Sequence, residues 1–280
     1  ENLIKKTKPK VIFHLAGQVA MSTSISDPYL DFSGNVKSTI NILESIRKHS
    51  KKTSLIYASS NKVYGDLNNY LYKETKTRFQ IKKNFKGFSE KNYLDFKSPY
   101  GCSKGSADQY VLDYARVFDL KTVVFRHSSI YGGRQFFTYD QGWLGWFCAK
   151  AVKNKIYKKD KFSITGNGKQ VRDVVHIDDI VNLYQKSISK ILKLKGKAYN
   201  IGGGKNNSLS IIELLNFLNT KLNIQLKYFK IQSRPYDQKI FISDNTKIYK
   251  DLMWKPKISY KKGIIDMIEW IKHSKIYKNV

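Results

Sequence analysis

The chain has 280 residues, 41% of them hydrophobic, and carries a formal charge of +29 from 51 lysines and arginines against 22 aspartates and glutamates. That length allows one large core or two smaller ones, and the absence of any run of eighteen apolar residues excludes a membrane-spanning helix. The lysines are scattered, without an arginine-rich arm or a nucleic-acid motif, so the positive field suits capture of anionic small molecules better than binding of nucleic acid. Two cysteines, Cys102 and Cys148, make neither a disulfide framework nor a metal spacing, which fits a reducing cytoplasm. The opening residues ENLIKKTKPK lack the apolar core of a signal peptide.

KVIFHLA (10–16) reads as a short, wholly apolar strand that turns at Gly17. Such a strand normally lies inside a parallel sheet, yet little precedes it to supply a second neighbour. Residues 27–49 read as a helix, with Asp27 as its cap and Pro28 in its first position. SLIYASS (54–60) is a second buried strand, 98–117 a helix, and KTVVFRHSSIYG (121–132) a third strand running into a loop. Strands alternating with helices at this spacing predict parallel strands with crossover helices. Beyond residue 132 a glycine- and aromatic-rich stretch turns helical. Short strands near 162–165, 197–201 and 225–229 then alternate with helices near 177–191, 208–221 and 260–274. The expected fold is α/β, with residues 1–132 and an interleaved part near 177–205 in one domain and 133–280 mainly in a smaller lobe.

Chemistry is first suggested by Tyr100 and Lys104, which lie one turn apart on the helix 98–117. A phenol beside an ammonium can be a proton-transfer pair or merely part of a helix surface, and Tyr-x-x-x-Lys arises by chance in lysine-rich chains. Lowering a tyrosine from its ordinary pKa near 10 by roughly three units takes about 4 kcal/mol of differential stabilisation, which nearby cations in a dry cleft can supply. Ser60 stands at the end of a strand, where parallel sheets present residues to ligands. His127 reads equally as a buried structural histidine or a ligand contact. His14 and His176 have no metal partner at useful spacing. Trp143, Trp146 and Phe147 read as core or interface.

The order and spacing of FHLAGQ (13–18), NVKST (35–39), SSNKVYG (59–65), SPYGCSK (98–104), FRHSSIYGGRQ (125–135), GNGKQVRDVVHIDD (166–179), YNIGGG (199–204) and RPYDQ (234–238) resemble the extended short-chain dehydrogenase/reductase family of nucleotide-sugar epimerases and dehydratases. Within it, the motifs are most similar to the branch that inverts C2 of CDP-3,6-dideoxyhexoses. The resemblance implies NAD as cofactor, a nucleotide sugar (a CDP-sugar favoured) as substrate, and catalysis by Tyr100, Lys104 and Ser60. It implies cofactor contacts from Leu15, Ala16, Gly17, Gln18, Asn35, Ala58, Ser59, Tyr100, Lys104, His127 and Ser128. Substrate contacts are implied for Ser60, Asn61, Ser129, Arg172, Arg234 and Asp237, the arginines on the diphosphate. No metal is implied, no nucleic acid and no membrane span, and a homo-oligomer is open. Many relatives carry asparagine where Ser129 stands, and small residues where this chain has Asn61 and Lys62. The family also opens with a strand and glycine-rich turn for the dinucleotide pyrophosphate, whereas the first glycine here, Gly17, matches the family's fourth strand. The expectation is therefore a Rossmann-like parallel sheet lacking its first strands and that turn, in an N-terminally truncated epimerase or a non-catalytic sugar-nucleotide-binding remnant.

Overall fold

Four parallel strands align side by side in the order Val11–His14, Ser54–Ser60, Lys121–His127 and Lys197–Ile201. They belong to a computed structural model that describes residues 1–81, 84–158, 161–234 and 236–279. The register places Ser60 beside His127 and His127 beside Ile201, so the carboxyl ends of the strands open at one level. The two central strands are buried along nearly their whole length because both faces are covered. On one face, Leu43, Ile46, Ala107 and Val111 from helices Ser38–His49 and Ser98–Val117 pack on Leu55, Tyr57 and Val124. On the other, Ile180, Leu183 and Tyr184 from helix Ile177–Ser189 pack on Ile56, Val123 and Phe125.

Strand Val11–His14 stands at the edge of the described sheet, hydrogen-bonded to Ser54–Ser60 alone, and Phe13 is 41% exposed. An apolar sequence thus reads as an inner strand although one of its edges meets no described strand. The segment 27–49 is also less uniform than its sequence suggests. Asp27 Oδ1 accepts from Leu30 N at 2.8 Å and Pro28 opens helix Pro28–Phe32, as the cap signals predict. A π turn at Ser33–Lys37 then precedes helix Ser38–His49. Such a bulge re-aims side chains that a regular helix would place elsewhere, and here it delivers Asn35 to the strand-end loop and to Ser103.

The second half forms another sheet. Val171–His176 pairs with Ser129–Tyr131 and Ile240–Phe241 in parallel and with Ser208–Ser210 antiparallel. Its core joins helices Trp143–Tyr157, Ile211–Leu222 and Tyr260–Ser274. The helix expected from 208 begins at Ile211, because Ser210 is a capping-box residue that accepts from Glu213 N while Glu213 accepts from Ser210 N. The strand expected at 225–229 lies at Tyr228–Ile231. Pro235 of RPYDQ lies outside the described residues.

Candidate active site

Helix Ser98–Val117 begins with Pro99 in its first turn, a position where the missing N–H costs nothing. Tyr100 and Lys104 follow in its first two turns. The helix lies close to its surroundings: a Cβ on Gly105 would come within 2.3 Å of the Phe96 ring. Lys104 is buried and its ammonium donates to Ala58 O at 2.6 Å, across the end of strand Ser54–Ser60. Burial lowers the Lys104 pKa to about 8, against the pull of Asp108 and Asp31.

Ser60 and Tyr100 line one cavity, Ser60 acts on the Tyr100 phenol, and Lys62 N donates to Ser60 Oγ at 3.2 Å. Ser60 and Tyr100 thus face one cavity, but the electrostatics of the chain alone differ from expectation. Burial raises the Tyr100 pKa, Ser60 opposes that, and the Asp31 carboxylate adds to it. The Lys104 ammonium is turned to the strand carbonyl, so one helical turn of separation does not by itself make the phenol acidic.

One cavity is lined by Ser59, Ser60, Tyr100, His127, Ser129 and Lys62, and it continues past Trp143, Arg172 and Asp237. These last three also line a second cavity with Tyr139, Trp146 and Arg234. At the junction, Asp237 Oδ1 accepts from Arg172 at 2.7 Å and from Lys62 Nζ at 3.1 Å. Next to it, Gln238 Oε1 accepts from Asn61 Nδ2 at 2.8 Å, and Gln238 Nε2 donates to Asn61 O and Gly65 O. Two consecutive residues after the end of one sheet thus meet two consecutive residues of the other lobe. Arg234 pairs instead with Asp140 at 3.0 Å, and Ser129 Oγ accepts from Trp143 Nε1 at 3.1 Å.

Burial pushes the Asp237 carboxyl up, but Lys62 and Arg172 outweigh it and bring it down to about 2. A depressed carboxylate stabilises the fold fully above its unfolded pKa near 4 and loses that contribution as pH falls toward about 2. Asp237→Asn should therefore lower stability at neutral pH and remove this part of the acid sensitivity. Urea unfolding of both proteins at pH about 7 and about 3 measures it; equal stability at neutral pH would refute the cluster's role.

Of the remaining predicted cofactor residues, Ser59, His127 and Ser128 line the first cavity, whereas Leu15, Ala16, Gly17, Gln18, Asn35 and Ala58 lie outside its lining. Asn35 Nδ2 donates to Gln18 O at 3.1 Å and to Ser103 Oγ at 2.9 Å. Gly17 admits no side chain, since its Cβ would sit 2.4 Å from Asn35 Oδ1. Leu15 is exposed, Ser59 Oγ donates to Asp108, and Ser128 Oγ donates to Asp173 O. His127 Nε2 meets the Tyr184 hydroxyl at 2.9 Å and stacks on that ring, and burial takes its pKa down to about 3, so the imidazole is neutral. His127 Nδ1 and Asn35 Oδ1 are buried without a partner. Orphaned polar atoms and a loop that excludes a Cβ fit a flat, polar ligand laid against the strand ends beside Lys104.

Sequence reasoning missed Trp143 and Trp146 as lining residues, having read them as core or interface. Both pack against the core and also face the cavities. Gly142, in the left-handed region at φ 72°, starts their helix and was the available signal. Tyr139, Asp140, Gln238 and Asp31 carried no local pattern.

Among the described residues no helix is long and apolar enough to cross a membrane. The family described as GDP-mannose 4,6 dehydratase matches residues 1–267. The chain is 52% identical over 268 residues to the CDP-paratose 2-epimerase of Salmonella typhi, covering 96% of this chain and 79% of that one. It is 29% identical to a putative UDP-glucose 4-epimerase of Methanocaldococcus jannaschii over 95% of this chain and 78% of that one. Among solved structures, Pal from Bacillus thuringiensis superposes with a TM-score of 0.81 at 25% identity, covering 98% of this chain and 79% of that one. The UDP-glucuronic acid 4-epimerase of Bacillus cereus, solved with UDP-glucuronic acid and NAD, shares the fold at a TM-score of 0.79 and 24% identity, covering 98% of this chain and 78% of that one.

Proposed function

The chain belongs to the family of NAD-dependent nucleotide-sugar epimerases and dehydratases that the GDP-mannose 4,6 dehydratase description covers, and on that premise we propose that it inverts C2 of a CDP-3,6-dideoxyhexose, CDP-paratose to CDP-tyvelose. The convergence of Ser60 and Tyr100 in a cavity that runs on to Arg172 and Asp237 carries this reading, in a chain half identical to a 2-epimerase. Leu15–Gln18, Asn35, Ala58, His127 and Lys104 would hold the nicotinamide end of NAD. When bound, NAD supplies the acceptor and later the donor of one hydride, with no net redox change.

The chain's own residues do the rest. Tyr100 Oη takes the proton of the sugar C2 hydroxyl and returns it after the keto sugar has turned over in the pocket. Ser60 Oγ, in the same cavity as that phenol, holds the sugar oxygen beside it. Because burial opposes the phenolate, the transfer needs positive charge beside Tyr100, and Lys104 is the buried cation one turn away. Arg172 and Arg234 face the cavity junction, where a guanidinium can take two phosphate oxygens at once. Asn61 and Lys62 stand after Ser60, where the family resemblance implies acids in a dehydratase, and this favours epimerisation over dehydration.

The test is turnover. The protein supplied with NAD and CDP-paratose should yield the C2 epimer, with deuterium from solvent water retained at exchangeable hydroxyls only and not at C2. Absence of inversion with CDP-, UDP- and dTDP-sugars alike, while calorimetry shows that NAD binds, would overturn the proposal and leave a sugar-nucleotide-binding protein.

A further inference from the structure

Lys104 poses a problem that its hydrogen bonds do not solve. Its side chain is 5% exposed, yet among the described residues it forms no ion pair, and its hydrogen bond goes to a neutral carbonyl, Ala58 O. Removing an ammonium from water without a counterion is costly. The charged and titratable groups around it are Asp108 on its own helix, Asp31 on helix Pro28–Phe32, His14 on the edge strand, His127 on strand Lys121–His127, and Tyr57. The two carboxylates act on it without an ion pair, and Asp108 is committed to Arg126. Both imidazoles are neutral in this setting, since burial holds His14 down to about 4 and His127 to about 3.

What the ammonium does touch is an aromatic face. Lys104 Nζ lies 4.4 Å from the centroid of the Tyr57 ring. Tyr57 is 1% exposed, and its ring meets that of His14, its neighbour on the adjacent strand, at 5.3 Å between centroids. His14 is itself anchored, with Nε2 at 2.8 Å from Thr39 Oγ1, and Thr39 Oγ1 donates to Asn35 O at 2.6 Å. The ring therefore cannot move away from the ammonium without disturbing a buried chain of contacts. A desolvated cation over a ring face is the setting in which this attraction is strongest.

We propose that Tyr57 is a positioning residue whose ring face, with Ala58 O, seats the Lys104 ammonium and keeps it charged one helical turn from Tyr100. The neutral His14 beside the ring serves the same end, because an imidazolium there would repel the nearby ammonium. The proposal rests on the reading of Tyr100 and Lys104 as the reacting pair, but its central measurement needs no substrate.

Nitrogen-15 NMR of the full chain labelled at lysine, with Lys104 assigned by its loss in Lys104→Arg, gives the midpoint of Lys104 directly. In Tyr57→Leu that midpoint should fall by about one pH unit, because the ammonium loses its attraction. Tyr57→Phe keeps the face and should stay within a few tenths of a unit of the parent. In turnover, kcat of Tyr57→Leu should lose its alkaline limb at correspondingly lower pH while KM holds. An unchanged midpoint in folded Tyr57→Leu overturns the proposal, as does an equal fall in Tyr57→Phe, which would assign the effect to the hydroxyl. If Tyr57→Leu does not fold, Tyr57→Met makes the same comparison. A shifted midpoint in a chain that turns over no nucleotide sugar would leave this inference standing and sink the proposed reaction instead.

Discussion

Replacing Tyr100 with phenylalanine is expected to reduce C2 inversion by about 10²–10⁴-fold, the range for loss of a positioned acid–base group. The substitution removes one oxygen from the cavity wall and leaves the ring in place. Ser60 keeps Lys62 N as a donor and Asn61 Oδ1 as an acceptor, so the strand end should hold its shape. NAD affinity measured by calorimetry should change little. The loss should therefore appear in kcat rather than in KM. A Tyr100→Phe protein that retains more than about a tenth of the parent kcat would remove Tyr100 from the mechanism. Ser60→Ala is expected to be milder, since it removes a hydrogen bond and not the proton acceptor.

Asp108→Ala should produce the largest loss of stability. Asp108 is wholly buried, and Arg126 meets it with two parallel bonds, Nε to Oδ2 and Nη2 to Oδ1, both at 2.8 Å. Arg126 also donates to Tyr64 Oη at 2.9 Å, and Tyr64 in turn donates to Asn200 Oδ1 at 2.7 Å. Ser59 Oγ donates to the same carboxylate at 2.9 Å. Taking away the carboxylate leaves a guanidinium in the core with no counterion, which costs about 3–5 kcal/mol and lowers Tm by on the order of 10 °C for a chain of this size. The double variant Asp108→Leu with Arg126→Met removes both charges and should recover much of that loss, because the penalty lies in the orphaned charge rather than in the missing bond. Thermal melts of the three proteins decide it, and a single variant that melts within about 2 °C of the parent would show that the pair is not the anchor it looks to be. Activity should fall in Asp108→Ala more than stability alone explains, since Ser59 precedes Ser60 and Asp108 favours the Lys104 ammonium.

The local signals that were legible in the sequence are those whose cause is local. Pro99 and the apolar spacing behind it bound the helix 98–117 at the residues where the structure shows it. The strands at 54–60, 162–165 and 197–201 and the helix at 260–274 were legible for the same reason, since side-chain periodicity and turn residues state them within a few positions. Several of the motifs were readable in order because they sit at a strand end or a helix start where the chain must make a characteristic turn, as SSNKVYG and SPYGCSK do. Other features lacked any such local cause. The π turn at Ser33–Lys37 exists because Asn35 gains partners from two distant segments, and no spacing rule inside the helix announces it.

By itself, then, the order of residues determined that parallel strands would alternate with helices and that Ser60, Tyr100 and Lys104 would come to one end of the sheet. Only the tertiary structure decided what the charges do there. Lys62 meets Asp237 across 175 positions of sequence, and Lys104 turns to a carbonyl and a ring face instead of toward the phenol. Periodicity is a property of neighbours along the chain, whereas the balance between burial and charge depends on which distant groups the fold presses together.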